Sequence, residues 1–495
     1  MTPPPRLSLE SLGQLSPAAA APRYDRASLI PAIVHLGLGA FARAHLAAYT
    51  DDLLNAEAGA TNNADWGILG VSLQRPDQRD RLNPQQGLYT TIERGPEGER
   101  ARIIGCLLGV MVAPEEREAL VARLASPRTR IVSLTITEKG YCHDPATGRL
   151  NMAHPDIAHD LAHPESPRSA IGFIVAGLAA RRAARLAPFT VLCCDNLPHN
   201  GRLVAGLVDD FAEALDPALA AWIAAEACFP STMVDRIVPA LTDDDLAAAT
   251  RLTGLTDMAP VGHEPFRQWV IEDDFVAGLR PDWEQVGVQF THDVAPFEHM
   301  KLRLLNGAHS ALAYLGYLAG HETIFDTVSD PAFAAYAERF WAEARPMVPP
   351  PPGQDLKTYT SALLARFANP AIRHRTWQIA MDGSQKLPQR LLGTVRERLA
   401  QNLPIPALAT AIAAWARYVG GTDEKGAPID VRDPMASLLR ETLDAAGKDA
   451  KSRIAALLAI EPIFGTDLPR DPRFVEAVTA AYTTLLASGA RAAIA

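Results

Sequence analysis

A short β-rich run, Ile33-Val-His-Leu36, meets Gly37-x-Gly39, and a helical stretch follows from about Phe41 to Leu54. Strand, glycine turn and helix in that order form the setting in which Gly-x-Gly-x-x-Gly binds a dinucleotide. The glycines let the backbone approach a pyrophosphate, and the helix start supplies N–H donors. The third position is Ala42, a small substitute for glycine. The loop residues expected at the cofactor are Gly37, Gly39, Ala40, Phe41, Ala42 and Arg43.

The pattern then repeats. Trp66-Gly-Ile-Leu-Gly-Val-Ser-Leu73, Arg130-Ile-Val-Ser-Leu-Thr-Ile136 and Phe189-Thr-Val-Leu-Cys-Cys194 are β-rich and separated by alanine- and leucine-rich helical stretches. Such alternation predicts an α/β fold, a mostly parallel, doubly wound sheet covered by helices. It stops after Arg280-Pro-Asp-Trp283, and the rest reads as helix: around Lys301, then 331–345, 356–368, 389–400, 405–418 and 430–446. The expected organisation is an irregular arm over 1–28, a Rossmann-like domain over 29–284 and a helical substrate domain over 285–495.

Composition narrows the function. The 495 residues carry a formal net charge of −10 without a long lysine or arginine run, which argues against a nucleic-acid or anionic-membrane surface. Five cysteines, without Cys-x-x-Cys spacing, argue against a disulfide framework and a structural zinc. There is no signal-peptide pattern and no apolar run of about 18 residues. A soluble, cytoplasmic protein without a metal is expected.

Ligands of doubly wound sheets bind at the carboxyl ends of strands. After the second β-run, Asp77 could take the adenosine ribose hydroxyls and Arg75 a 2′-phosphate, so these residues leave NAD and NADP both open. Thr137, Glu138 and Lys139 follow one later run, and Asp195 and Asn196 follow another.

One stretch of the helical half carries chemistry. In Lys301-Leu-Arg-Leu-Leu-Asn-Gly-Ala-His309, an α-helix advancing roughly 100° per residue would put Lys301, Asn306 and His309 at about 0°, 140° and 80° around its axis. All three can then face one cleft. A secondary alcohol becomes a ketone by losing a hydride and a hydroxyl proton, which a partly desolvated lysine can accept while the amide and imidazole hold the oxygen. Glu298 lies three residues before Lys301. It reads either as an i,i+3 ion pair or as a carrier of the released proton.

Lys-x5-Asn-x2-His resembles the catalytic signature of the mannitol dehydrogenase family, the polyol-specific long-chain dehydrogenases. Phe229-Pro-Ser-Thr-Met-Val-Asp-Arg-Ile-Val-Pro239 and Gly37-Leu-Gly-Ala-Phe-Ala-Arg-Ala-His45 resemble two further stretches of that family. Within it, Thr137-Glu-Lys-Gly-Tyr141, Glu264 to Glu272 and Thr376-Trp-Gln-Ile-Ala-Met-Asp-Gly-Ser-Gln-Lys386 look most like the fructuronate reductase branch. The resemblance implies NAD, with Asn196 working beside Asn306 on the reacting oxygen, a proton-relay role for Glu298, a supporting role for Asp235 and a single chain as the default oligomeric state. Taken alone, Asp235-Arg236 reads as a plain internal ion pair.

The resemblance also implies that Lys386 binds the substrate's hydroxyl chain. Mannitol dehydrogenases are expected to carry an arginine eight residues earlier, where this chain has Gln378. That departure suits a sugar acid better than a polyol. A uronate carboxylate is best held by arginine, and Arg373, Arg375 and Arg303 all stand as candidates. The expected activity is NAD-dependent interconversion of D-fructuronate and D-mannonate. Mannitol with fructose, or tagaturonate with altronate, are the alternatives within the class, and a catalytically silent dinucleotide sensor is the alternative outside it.

Overall fold

Five short apolar runs of the first half pair in parallel, in the order Leu107–Val112, Gly67–Ser72, Pro31–Leu36, Ile131–Leu134 and Thr190–Cys193 across the sheet. Counted along the chain within this sheet the order is third, second, first, fourth, fifth, the Rossmann arrangement. Both faces are covered. Ile33, Ile131 and Leu192 pack into one core cluster, and their neighbours Val34, Val132 and Val191 into another. This double burial explains why the strands read as continuous apolar runs with no polar alternation.

The computed structural model describes residues 4–56, 66–144 and 147–495. The chain divides into two compact units, one ending at Val294 and the other beginning at Ala295. In the first, the hairpin Tyr89–Gly95 and Gly98–Ile104 is the centre of a second sheet that periodicity did not reveal. Val261–His263 pairs in parallel with one of its strands. Ala19–Ala20 of the N-terminal arm pairs with the other, and Leu7 is fully buried against Leu88, Ile103 and Leu255. A third sheet joins Thr232–Asp235, Gln268–Glu272 and Gln289–Thr291, which carries strand structure past residue 284.

The second unit is helical and built around Gly307–Leu318, in which every residue except Tyr317 is buried. A helix apolar all round belongs in a core, and Pro331–Ala344, Pro406–Tyr418 and Pro472–Ala493 pack around it. Several of these helices start where a side chain takes up an otherwise orphaned N–H. Asp330 and Asp471 each cap a helix that opens with proline. The helix expected from residue 430 begins at Ala436. The Asp433 carboxylate is engaged there by Met435 N and Ser384 N, which holds the approach in a turn. Among the described residues no helix is long and apolar enough to cross a membrane.

Two segments depart from α-helix in a way periodicity does not show. Lys301–Asn306 and Pro388–Leu392 are π-helical turns, and they pack against each other.

Candidate active site

The carboxyl ends of the first and fourth sheet strands, where the strand order reverses, carry a tightly constrained backbone. Gly37 has φ +86°, and a β-carbon on it would lie 2.3 Å from the Thr135 carbonyl oxygen. Only glycine fits there. Thr137 has φ 63°, an uncommon conformation for a β-branched residue and one that collects at functional sites. The Asp195 carboxylate holds it, accepting from Ile136 N at 2.7 Å, Thr137 N at 3.2 Å and the Tyr141 hydroxyl at 2.7 Å. Burial raises the Asp195 pKa, and the three hydrogen bonds oppose that rise. The sequence placed Asp195 after a strand but gave no sign of this tethering.

Thr137 and Lys139 are exposed and Glu138 is half-buried, in or next to a 3-10 turn that spans Glu138–Tyr141. Asn196 is exposed on the loop after the fifth strand. Asp77 opens the helix Asp77–Leu82 after the second strand, and both it and Arg75 are exposed.

Gly39 precedes the short helix Ala40–Ala44, in which Ala42 and Arg43 are buried. Phe41 stacks on His45 with ring centroids 4.9 Å apart. The expected cofactor contact of the Arg43 side chain gives way to a task inside the fold. Its guanidinium donates to the Ala259 carbonyl at 2.5 Å and lies over the Tyr89 ring. Arg236 likewise donates to the carbonyls of Ala44 and Glu264. Asp235 ends the strand Thr232–Asp235 and is buried.

In the second unit Lys301 is 6% exposed, Glu298 6% and His309 7%, while Asn306 is half-buried. The π-turn changes their mutual placement. Its hydrogen bonds span five residues, as in Gly307 N to the Leu302 carbonyl, so each residue advances roughly 85° rather than 100°. Asn306 then comes to about 65° from Lys301 and His309 to within about 10°, against the roughly 140° and 80° of a regular α-helix. The three side chains share a narrower face than periodicity implied. Trp341 Nε1 donates to the Leu304 carbonyl at 2.9 Å, satisfying an acceptor within the turn.

His309 stacks on Phe367 at 5.1 Å and meets the edge of His374 at 4.8 Å. Burial, then the nearby His374, Arg390, Arg366 and Lys386, push its pKa well below the usual histidine value. The imidazole is therefore neutral at pH 7, and its buried Nε2 has no hydrogen-bond partner among the described residues. An orphaned polar atom in such a place is a waiting contact.

The Lys386 ammonium donates to the carbonyls of Ile379 and Met381. Burial, then Arg390, lowers its pKa to about 8. Gln378 is exposed on the helix Thr376–Ala380. Of the candidate carboxylate arginines, Arg373 and Arg375 are exposed and pair with Glu322, and Arg303 pairs with Glu397. Sequence reasoning passed over Arg390 and His374. Arg390 had one signal, its position four residues after Lys386 and so on the same helical face.

Two family models account for nearly the whole chain. The mannitol dehydrogenase Rossmann domain matches residues 31–285, and the mannitol dehydrogenase C-terminal domain matches residues 293–486.

The chain belongs to the mannitol dehydrogenase family.

Among its relatives, D-mannonate oxidoreductase of Escherichia coli K12 is 49% identical over 483 residues, 96% of this chain and 97% of that one. Mannitol 2-dehydrogenase of Aspergillus fumigatus is 41% identical over 98% of both chains. The Pseudomonas fluorescens mannitol 2-dehydrogenase, solved as a ternary complex with NAD and D-mannitol, superposes with a TM-score of 0.88 at 41% identity, over 99% of this chain and 98% of that one. The protein is thus an oxidoreductase of this family. The names of these relatives divide between a sugar acid and a polyol.

Proposed function

We propose that this mannitol dehydrogenase family member interconverts D-fructuronate and D-mannonate with NAD as cofactor. The observation that carries the reading is the buried Lys301 on a π-turn that brings Asn306 and His309 round to its face. The D-mannonate oxidoreductase relative and the absence of arginine at Gln378 support the sugar acid over a polyol.

The Rossmann unit fits a dinucleotide. The tight turn at Gly37, with no room for a β-carbon, lies at the point where strand order reverses, beside the strained Thr137. Asp77, exposed at the start of the helix after the second strand, would hold a ribose hydroxyl. Bound there, the nicotinamide supplies or takes the hydride.

The helical unit supplies the rest. In the reducing direction Lys301, as ammonium, donates a proton to the forming alkoxide, and in the oxidising direction it takes that proton from the hydroxyl. Asn306 donates from its amide to the reacting oxygen, and neutral His309 offers its unpartnered Nε2 to the same oxygen. Glu298, one turn before Lys301 and equally buried, passes the proton on toward solvent.

The test is NADH consumption by the purified protein with D-fructuronate, D-tagaturonate and D-fructose in parallel, each repeated with NADPH. Preference for fructuronate with NADH is expected. Preference for fructose would return the assignment to a polyol, and silence on all three would favour a dinucleotide sensor. Lys301→Ala should lower kcat by at least about a thousandfold while NADH still quenches protein fluorescence with near-native affinity. A variant with native turnover would remove lysine from the mechanism.

A further inference from the structure

Arg390 is enclosed by the helical core yet retains partial exposure. A guanidinium carries five N–H donors. The structure records one hydrogen bond from this one, Nη1 to Ser310 Oγ at 3.0 Å. No ion pair is recorded to it among the described residues, although Asp382 is near enough to be felt electrostatically. Three arginines weighed for a substrate carboxylate differ, since Arg303, Arg373 and Arg375 each hold a glutamate. A buried cation with unused donors is costly unless an anion arrives. Burial lowers the Arg390 pKa to about 10, which leaves it charged at pH 7.

Its place in the fold says which anion. Ser310 lies four residues after Asn306 and one after His309, so the anchored guanidinium lies on the Asn306 face of the central helix, about one turn, ~5.4 Å, further along. In D-fructuronate the carboxylate is four carbon–carbon bonds from the ketone carbon, roughly 5 Å in an extended chain. A ketone oxygen at Asn306 and His309 would thus bring the acid group to Arg390. Lys386, whose positive charge is felt at both His309 and His374, adds a second cation to the same corner.

We infer that Arg390, tethered by Ser310 and flanked by Lys386, forms the subsite that holds the carboxylate of a sugar-acid substrate. The inference rests on the sugar-acid reading proposed above and adds the residue that distinguishes an acid from a polyol. Planar guanidinium and planar carboxylate match through two parallel hydrogen bonds, which a lysine cannot reproduce.

The experiment compares D-mannonate with D-mannitol, which share a hydroxylated chain and differ at the acid terminus. Binding is measured by calorimetry on NAD-saturated protein in a Lys301→Ala background, so that no turnover intervenes. The parent should bind mannonate more tightly. Arg390→Gln should lower the mannonate-to-mannitol affinity ratio at least tenfold, and Arg390→Lys should restore part of it. A parent that does not prefer mannonate, or an Arg390→Gln protein with the ratio unchanged, overturns the subsite. Should Arg390→Gln fail to fold, Arg390→Lys decides: a ratio lowered severalfold supports the subsite and an unchanged one overturns it. The native chain is assayed for fructuronate turnover alongside. No turnover with a collapsed ratio means a carboxylate subsite for another sugar acid, whereas turnover with an unchanged ratio leaves the proposed function standing without Arg390.

Discussion

Gly307 lies so close to Arg390 that a β-carbon on the glycine would sit 3.0 Å from the Arg390 carbonyl oxygen and 3.1 Å from Phe340 Cζ. The glycine follows directly on the Lys301–Asn306 π-turn, and the arginine belongs to the other π-turn, so their contact sets how closely the two turns approach.

Gly307→Ala should therefore disturb activity more than stability. Alanine gains about 1 kcal/mol of helix propensity, which offsets much of a packing cost of about 1–3 kcal/mol, while the turns move apart by a few tenths of an ångström. A tenfold or greater loss of kcat/KM is expected, with a thermal midpoint within a few degrees of native. A variant with native kcat/KM would show that the spacing of the turns does not matter to catalysis.

At Gly37 the balance is different. The positive φ and the 2.3 Å approach to the Thr135 carbonyl leave a methyl group no place, and a backbone carbonyl cannot swing away as a side chain end can. Gly37→Ala should cost about 2 kcal/mol or more and weaken NADH binding at least tenfold. Calorimetric melting and fluorescence titration check the two parts separately.

The Lys386 pKa of about 8 gives the sugar-acid affinity an alkaline limit. Its ammonium is charged below that pH and neutral above it, so KM for a sugar acid should rise as pH passes from 7 to 9. D-Fructose, which carries no charge, should show a smaller rise. Lys386→Met should flatten the difference between the two profiles, and a persistent difference would assign the step to another group.

Acid stability follows from buried histidines. Burial lowers His35 to about 4, His45 to about 3 and His374 to about 4. The unfolded chain, with histidine near 6.5, then binds more protons than the folded one between roughly pH 6.5 and 4. Stability should be fully present above pH 6.5 and fall as pH is lowered through that window. Asp195, whose pKa is raised, works in the opposite sense. His35 bridges Ser133 and Thr135 inside the sheet. His35→Gln should reduce the slope of unfolding free energy against pH between 6.5 and 4, measured by urea titration.

The sequence by itself determined the fold class of both units. Apolar runs long enough for strands, each followed by helical periodicity, leave few alternatives to a parallel sheet, and a glycine pair after the first run marks its ligand end. Lys301, Asn306 and His309 could be singled out as candidates by their helical spacing, although the π-turn alters the angles between them. The sheet built on the hairpin at 89–104 was not legible because its pairings with 261–263 and 19–20 join segments far apart in the chain. Tertiary structure alone decided whether the turn after Lys301 closes over four residues or five, since packing of Gly307 on Arg390 and the Trp341 donor to Leu304 tips that choice. It also decided which arginine is available. Glu322 lies 53 residues from Arg375, and Glu397 lies 94 from Arg303. Whether a cation is neutralised or left waiting depends on neighbours that only the folded chain brings within reach.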